Sequence, residues 1–170
     1  MSAQILDGRA LARELRTELQ RHAADFARER GRAAHLALLA VGEDAGALVF
    51  GQQVMRACRA VGVAYSVANF SVGVSEAAIR AQVAHASNDP ATDGVVVLLP
   101  LPGDVRQRVI TEVLAPSKDV DGLGPRNAGN LLLGYPSFVP GTAEAVMALL
   151  GHIGYAIRGK HAVIVGRSNV

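Results

Sequence analysis

Apolar residues switch between helical and strand spacing along the first third of the chain. Residues 8–31 carry leucines at helical spacing with Arg, Glu and Gln between them, which predicts an amphipathic helix. Residues 35–41 form a short, continuously apolar run that ends at a glycine, a pattern typical of a buried strand. Residues 45–61 then return to helical spacing.

The same strand and helix alternation continues twice more. Residues 63–70 and 94–99 are predicted strands, the first followed by a helix that begins near Ser75 and the second by a helical pattern over 104–114. Three strand-helix units in succession imply parallel strands with helices on both faces. The pattern therefore predicts an α/β fold, a three-layer parallel-sheet domain.

The last part of the chain has a different pattern. Residues 115–141 are rich in Gly and Pro and are predicted to form a long loop, and loops of this length in compact domains are usually functional. A helix is predicted at about 143–151, followed by a strand over 160–165 and a turn over 166–170. Substrate contacts are therefore expected in the long loop.

Composition narrows the classes of partner. The 17 basic and 15 acidic residues are dispersed, so a nucleic-acid partner is not expected. No apolar stretch approaches the roughly 20 residues of a membrane helix, and the first residues lack the apolar core of a signal peptide, so no membrane partner and a cytoplasmic location are expected. The single Cys58 and the five scattered His residues give no metal spacing, so no metal is predicted.

Two motifs suggest binding chemistry, although each has an ordinary structural alternative. Gly166, Arg167 and Ser168 directly follow an apolar strand pattern, where a dinucleotide-binding unit places its phosphate loop, but a plain strand-to-helix turn fits as well. Asp119 and Asp121 are two residues apart and would point the same way in an extended segment, so they could orient a ligand or bind a cation. Solvated turn residues are the commoner explanation for such a pair.

Several segments, in order, resemble the bifunctional methylenetetrahydrofolate dehydrogenase/methenyltetrahydrofolate cyclohydrolase family. The sequence segments that carry the resemblance are Ile-Leu-Asp-Gly at 5–8, Arg-Ala-Cys-Arg-Ala-Val-Gly at 56–62, Asp-Gly-Val-Val-Val-Leu-Leu-Pro-Leu-Pro at 93–102, Lys-Asp-Val-Asp-Gly at 118–122, Asn-Ala-Gly at 127–129, Val-Pro-Gly-Thr at 139–142 and Gly-Lys-His-Ala-Val-Ile-Val-Gly-Arg-Ser-Asn at 159–169. The chain is identified as a divergent member of that family.

The resemblance implies an organisation and a reaction. It implies a folate-binding catalytic domain over residues 1–141, with residues 142–170 as the connecting helix and the start of a Rossmann-like NADP domain. The reaction would be NADP-dependent oxidation of 5,10-methylenetetrahydrofolate to the methenyl compound, followed by hydrolysis to 10-formyltetrahydrofolate. A homodimer that binds a tetrahydrofolate derivative is also implied. The expected cofactor-binding residues are Gly166, Arg167 and Ser168.

The departures from the family pattern cluster around one expected site. The family has a Tyr and, four residues later, a Lys on one helix face, and the matching residues here are Phe50 and Val54. The family's Gln, which assists that Lys, corresponds to Leu98. Of the expected catalytic side chains, only the acid survives, at Asp121. The expected substrate-binding residues are Phe50, Val54, Val97, Leu98, Leu99, Asp121, Pro140 and Thr142.

These replacements predict which activity is lost. A positioned proton-transfer group contributes roughly two to four powers of ten in rate, and valine cannot supply one. The cyclohydrolase step is therefore expected to be impaired or absent, whereas hydride transfer depends mainly on how folate and nicotinamide are positioned. The alternative is a non-catalytic paralogue that binds a folate or another small molecule.

Overall fold

The computed structural model of the protein describes residues 5–166 and residue 168. Within this part, helices and strands alternate as far as the third strand, and three helices then follow one another. They are α1 (Gly8–Arg30), β1 (His35–Val41), α2 (Ala45–Val61), β2 (Ala64–Phe70), α3 (Glu76–Asn88), β3 (Gly94–Val97), α4 (Gln107–Thr111), α5 (Pro125–Leu133) and α6 (Gly141–His152). None of the helices described is long and apolar enough to cross a membrane.

The three strands form one parallel sheet in the order β2-β1-β3. The central strand β1 is buried from Ala37 onward, as its continuous apolar run predicts. The predicted α/β class, the parallel pairing and the positions of all three strands are confirmed. Strand β3 ends at Val97, two residues earlier than predicted, although the Leu98 N–H still donates to the Leu39 carbonyl at 2.8 Å.

Alternate side chains of the strands pack on opposite faces of the sheet, which gives two apolar cores. The α3-face core contains Ala37, Leu39, Val41, Ile79, Val83, Ala86, Val95, Val97, Val105, Ile110 and Leu114. The α2-face core contains Leu38, Ala40, Ala47, Val96 and Leu98, with Val54 and Met55 among the half-buried residues packed against it. The sheet is thus covered on both faces, which confirms the predicted three layers.

Capping side chains explain where three of the helices begin. Asp7 accepts hydrogen bonds from the Arg9 and Ala10 N–H groups at the start of α1. Asp44 and Ser75 cap α2 and α3 in the same way. The predicted helix that begins near Ser75 is therefore confirmed with its cap.

The long predicted loop contains a helix that the apolar pattern does not reveal. Helix α5 lies inside residues 115–141, begins with a proline at its first position and includes Asn127 and Gly129, which are poor helix formers. Its apolar residues do not form a buried stripe, because Leu132 and Leu133 are exposed. The prediction of an irregular loop is wrong at this helix.

The predicted strand over residues 160–165 is not formed. A strand needs a neighbouring strand for its ladder of hydrogen bonds, and none of the described strands lies beside this segment. Its apolar side chains remain open to solvent, with Val163 77%, Ile164 87% and Val165 97% exposed. The sequence pattern identified apolar residues correctly but could not show what they pack against.

Candidate functional site

A cavity of about 710 Å³ opens at the carboxyl end of the sheet, where parallel α/β folds usually bind ligands. It receives Phe50 from α2, the end of β3 and the long segment that leads into α6. Six of the expected substrate-binding residues line it, namely Phe50, Val97, Leu99, Asp121, Pro140 and Thr142. The sequence prediction missed the other lining residues, which are Leu123, Gly141, Ala145, Val146 and Leu149.

Asp121 is the one ionisable side chain among the residues that line this cavity. It is half-buried, and no side chain or backbone group in residues 5–166 forms a hydrogen bond or ion pair with its carboxylate. Burial raises the pKa of Asp121, and the negative charge of nearby Asp119 raises it further. The group is therefore an unpartnered acceptor in an otherwise largely apolar cavity.

Asp119 and Asp121 do not act as a pair, because Asp119 turns into the protein. It is 1% exposed, and its carboxylate accepts hydrogen bonds from backbone N–H groups and from Asn127. Residues 5–166 and 168 contain no cluster of His, Cys, Asp or Glu that could hold a metal ion. Of the two carboxylates, only Asp121 is available to a ligand.

Neighbouring cations do not neutralise Asp121. The Lys118 ammonium donates to the Asp89 carbonyl at 2.6 Å, which holds it at the opposite end of the sheet. Arg126 is exposed on α5 and makes no hydrogen bond or ion pair with Asp121. The raised pKa of Asp121 is consistent with this lack of a compensating positive charge.

The structure places Val54 and Leu98 outside the cavity lining, in or against the α2-face core. Side chains alternate along an extended segment, so Val97 and Leu99 reach the cavity while Leu98 between them faces α2. Leu98 is 3% exposed. Both positions therefore contribute apolar packing, and their role in substrate binding stays a prediction.

The Leu98 side chain packs closely against Gly51 on α2. A Cβ atom added at Gly51 would lie 2.7 Å from Leu98 Cδ1, which is closer than two non-bonded carbon atoms can approach without one of them moving. The absence of a side chain at position 51 thus lets Leu98 pack directly against the helix backbone. A polar side chain at position 98 would enter a closely packed apolar region.

The expected cofactor-binding residues are only partly described. Gly166 and Ser168 are exposed, and Arg167 lies outside the described residues. Gly166 has φ of +148°, and among the described residues other than its chain neighbours none has an atom within 4 Å of where its Cβ would be. A dinucleotide cradle needs a strand, a tight glycine turn and a helix N-terminus. The described residues of this segment do not form one, so no catalytic step is assigned to them.

Comparison with known proteins identifies the family. Residues 6–121 match the family described as tetrahydrofolate dehydrogenase/cyclohydrolase, catalytic domain. A bifunctional protein FolD from Paracidovorax citrulli is 41% identical over all 170 residues, and the chain spans 60% of that relative's length. A second FolD relative, from Polaromonas, is 42% identical with the same coverage.

Solved structures agree with this match. The bifunctional FolD enzyme from Campylobacter jejuni superposes with a TM-score of 0.93 at 32% identity, covering 99% of this chain and 60% of that one. The FolD protein from Trypanosoma brucei, solved with NADP cofactor and an inhibitor, gives a TM-score of 0.93 at 31% identity, covering 99% of this chain and 58% of that one. On these matches and this fold, the chain belongs to the tetrahydrofolate dehydrogenase/cyclohydrolase family, and its residues 6–121 match the catalytic domain of that family.

Proposed function

We propose that the protein oxidises 5,10-methylenetetrahydrofolate to 5,10-methenyltetrahydrofolate with NADP, and that its cyclohydrolase step to 10-formyltetrahydrofolate is impaired or lost. Asp121 in the apolar cavity is the observation that carries the proposal. We further propose that the protein is a cytoplasmic homodimer. Residues 1–141 would form the folate-binding catalytic domain, and residues 142–170 would connect it to a Rossmann-like nucleotide domain.

The cavity has the chemistry that a reduced folate requires. The pyrimidinone ring of a reduced pterin is flat and carries amine and ring N–H donors along one edge, and an ionised carboxylate accepts such donors. Asp121 supplies that acceptor, while Phe50, which is 51% exposed, offers an aromatic face for stacking. The apolar walls from β3 and α6 would exclude water from the remaining ring surface.

The proposed loss of hydrolysis follows from the positions of Val54 and Leu98. Both side chains are apolar and pack in or against the α2-face core, so neither can move a proton at the reacting carbon. Asp121 would be occupied by the pterin. Hydride transfer asks the protein mainly to bind and orient folate and nicotinamide, so this step can survive the same replacements.

NADP is proposed as the hydride acceptor by analogy with the Trypanosoma brucei relative, whose structure contains it. The chain spans about 60% of the length of its relatives. The proposal therefore requires a nucleotide-binding region that residues 160–166 and 168 do not form by themselves. In this proposal the described residues bind and orient the folate.

The alternative is a non-catalytic folate or small-molecule-binding paralogue. One observation favours it, namely that the cavity lining has a single ionisable group, Asp121. A binding protein needs only an acceptor and a shaped apolar surface. Catalysis requires in addition that the nicotinamide reach the bound folate.

The deciding experiment is NADP reduction by the purified full-length protein in the presence of 5,10-methylenetetrahydrofolate. We expect steady formation of NADPH, and a loss of most of it in Asp121→Asn because the neutral amide cannot accept the same set of pterin donors. Asp89→Asn changes a carboxylate in a turn at the other end of the sheet and serves as the matched control. Folate binding without NADPH formation would instead establish the binding paralogue.

A further inference from the structure

Asp119 is a buried carboxylate that the proposed reaction does not use. It lies two residues before Asp121, but its side chain points into the protein and is 1% exposed. Its backbone forms an isolated parallel bridge with Val95, which attaches the turn to β3. A buried carboxylate is costly unless its hydrogen bonds are made, so its partners show what it holds in place.

Both oxygens of this carboxylate are occupied. Oδ1 accepts from the Leu123 N–H at 3.0 Å, and Oδ2 accepts from the Gly124 N–H at 2.8 Å and from Asn127 Nδ2 at 2.9 Å. Leu123 and Gly124 immediately precede α5, and Gly124 has no side chain with which to cap that helix. Asp119 therefore anchors the two residues that lead into α5, and it places a negative charge near the N-terminus of that helix, which the helix dipole favours.

These bonds fix the chain on both sides of Asp121. The Gly122 N–H donates to the Asp119 carbonyl at 3.1 Å, which closes the turn. Gly122 has φ of +62°, and a Cβ at this position would lie 2.7 Å from the Phe138 carbonyl oxygen. The turn is thus held at Asp119, at Gly122 and at the start of α5, with Asp121 inside it.

We propose that Asp119 is the positioning residue for Asp121, because its buried carboxylate holds the turn that carries Asp121 into the cavity. This inference rests on the proposed function, in which Asp121 binds the folate. Asp119 has a second effect through its charge, since it adds to burial in raising the pKa of Asp121. Position and charge can be separated by substitution.

The principal test is Asp119→Asn in the full-length protein, with 5-formyltetrahydrofolate as the probe. The amide keeps the shape of the side chain but presents N–H donors where Asp119 accepts from N–H groups. We expect affinity by calorimetry to fall about tenfold, as for the loss of a charge-assisted hydrogen bond. Carboxyl-carbon NMR should show a lower pKa for Asp121.

Asn127→Ala is the second variant, and it keeps the charge of Asp119 while removing the bonds from Asn127 Nδ2 to the Asp119 carboxylate and to the Asp119 and Pro116 carbonyls. We expect weaker binding of the probe with little change in the pKa of Asp121. If Asp119→Asn does not fold, this variant carries the test alone. Asp89→Asn is the matched control, because Asp89 also accepts bonds within a turn, from the Ala91 N–H at 2.9 Å and Thr92 Oγ1 at 3.2 Å, but is remote from the cavity.

Unchanged affinity in both variants, with only a lower melting temperature, would overturn the proposal and leave Asp119 a purely structural residue. Failure of the proposed function looks different. In that case the unmodified protein does not bind the probe, while Asn127→Ala, which keeps the charge of Asp119, still shifts the carboxyl-carbon resonance of Asp121 and so reports a displaced turn. That result would keep the positioning role and reject folate as the ligand.

Discussion

The carboxylates at the two ends of the sheet differ in whether they have partners within the protein. At the amino end, the Arg32 guanidinium donates to both oxygens of Asp93 at 2.6 and 2.9 Å, and the His35 N–H donates to the same carboxylate at 2.8 Å. At the carboxyl end, Asp121 faces the cavity, and no described residue forms a hydrogen bond or ion pair with its carboxylate.

The difference separates stability from function. Buried and half-buried polar groups are nearly always paired within a protein, so a pair such as Arg32 with Asp93 needs only a structural explanation. An acceptor that remains unpaired in an apolar cavity costs free energy in the unliganded protein, and a ligand that supplies donors would recover it. The two carboxylates therefore predict opposite responses to substitution.

The largest expected effect is a gain of hydrolysis at the carboxyl end. Val54→Lys combined with Leu98→Gln and Phe50→Tyr should raise hydrolysis of methenyltetrahydrofolate by about two powers of ten, the lower end of what a positioned proton-transfer group contributes. Loss of methenyl absorbance measures it. Val54→Met with the other two changes is the control and should show no gain.

If the triple variant hydrolyses methenyltetrahydrofolate no faster than the unmodified protein, the wider site has diverged. The packing at Gly51 allows for that outcome, because Leu98 lies against this glycine in the α2-face core. The glutamine introduced at position 98 would then have to leave an apolar region to reach the folate. Melting temperature of the triple variant tells misfolding apart from a misplaced site.

The second prediction compares Asp93→Asn with Asp121→Asn in urea unfolding at pH 7. Asp93→Asn should lower the free energy of unfolding by about 1 kcal/mol. This loss is smaller than for a buried charged hydrogen bond because the Arg32–Asp93 pair is partly exposed. Asp121→Asn should leave the unliganded protein equally or more stable, because burial disfavours its charged form. Equal losses in both variants would contradict the contrast between the two ends.

The third prediction is the response of stability to acid. The Arg32 guanidinium lowers the pKa of Asp93, and Arg106 lowers the pKa of Glu76 to about 2. A carboxylate with a lowered pKa binds fewer protons in the folded protein than in the unfolded chain. Its contribution to the free energy of unfolding is therefore present above the unfolded pKa of about 4 and is lost as the pH falls towards 2. Glu76→Gln should make the free energy of unfolding depend less on pH between roughly pH 4.5 and 2. An unchanged dependence would mean that the exposed Glu76–Arg106 pair contributes nothing measurable to stability.

The smallest expected effect is proton release on ligand binding. The pKa of Asp121 is shifted in the opposite direction from that of Asp93. Because the raised pKa keeps a proton on Asp121 in the folded protein, the contribution of Asp121 to stability is lost as the pH rises through this raised pKa. Folate donors favour the charged form, so binding should release a fraction of a proton. Calorimetry in buffers of different ionisation enthalpy measures this, and proton uptake on binding would have the wrong sign.

The sheet and the first three helices were predictable because the spacing of apolar residues along the sequence distinguishes strands from helices there. Residues 35–41 are continuously apolar in a strand buried on both faces, and residues 8–31 carry the helical spacing of α1. Helix α5 was not predictable in this way, because its apolar residues form no buried stripe and the residues that lead into it are anchored by Asp119 from another segment. A hydrogen bond to a side chain in another segment leaves no pattern in the sequence of the helix itself.

The site was predictable in part for a related reason. The resemblance located Asp121 and Phe50, but a spacing of two residues suggested that Asp119 and Asp121 point the same way. That holds in an extended segment, whereas the bond from the Gly122 N–H to the Asp119 carbonyl closes a turn. The wall contributed by Ala145, Val146 and Leu149 depends on how α6 packs across the cavity, which no spacing along one helix reveals.

The most direct test of the account is the hydrolysis rate of 5,10-methenyltetrahydrofolate by the same preparation that oxidises the methylene compound with NADP. We expect NADPH to form while hydrolysis runs no faster than the uncatalysed background, because Val54 and Leu98 supply no proton-transfer group. Hydrolysis that keeps pace with oxidation, so that 10-formyltetrahydrofolate accumulates without the methenyl intermediate, would contradict it.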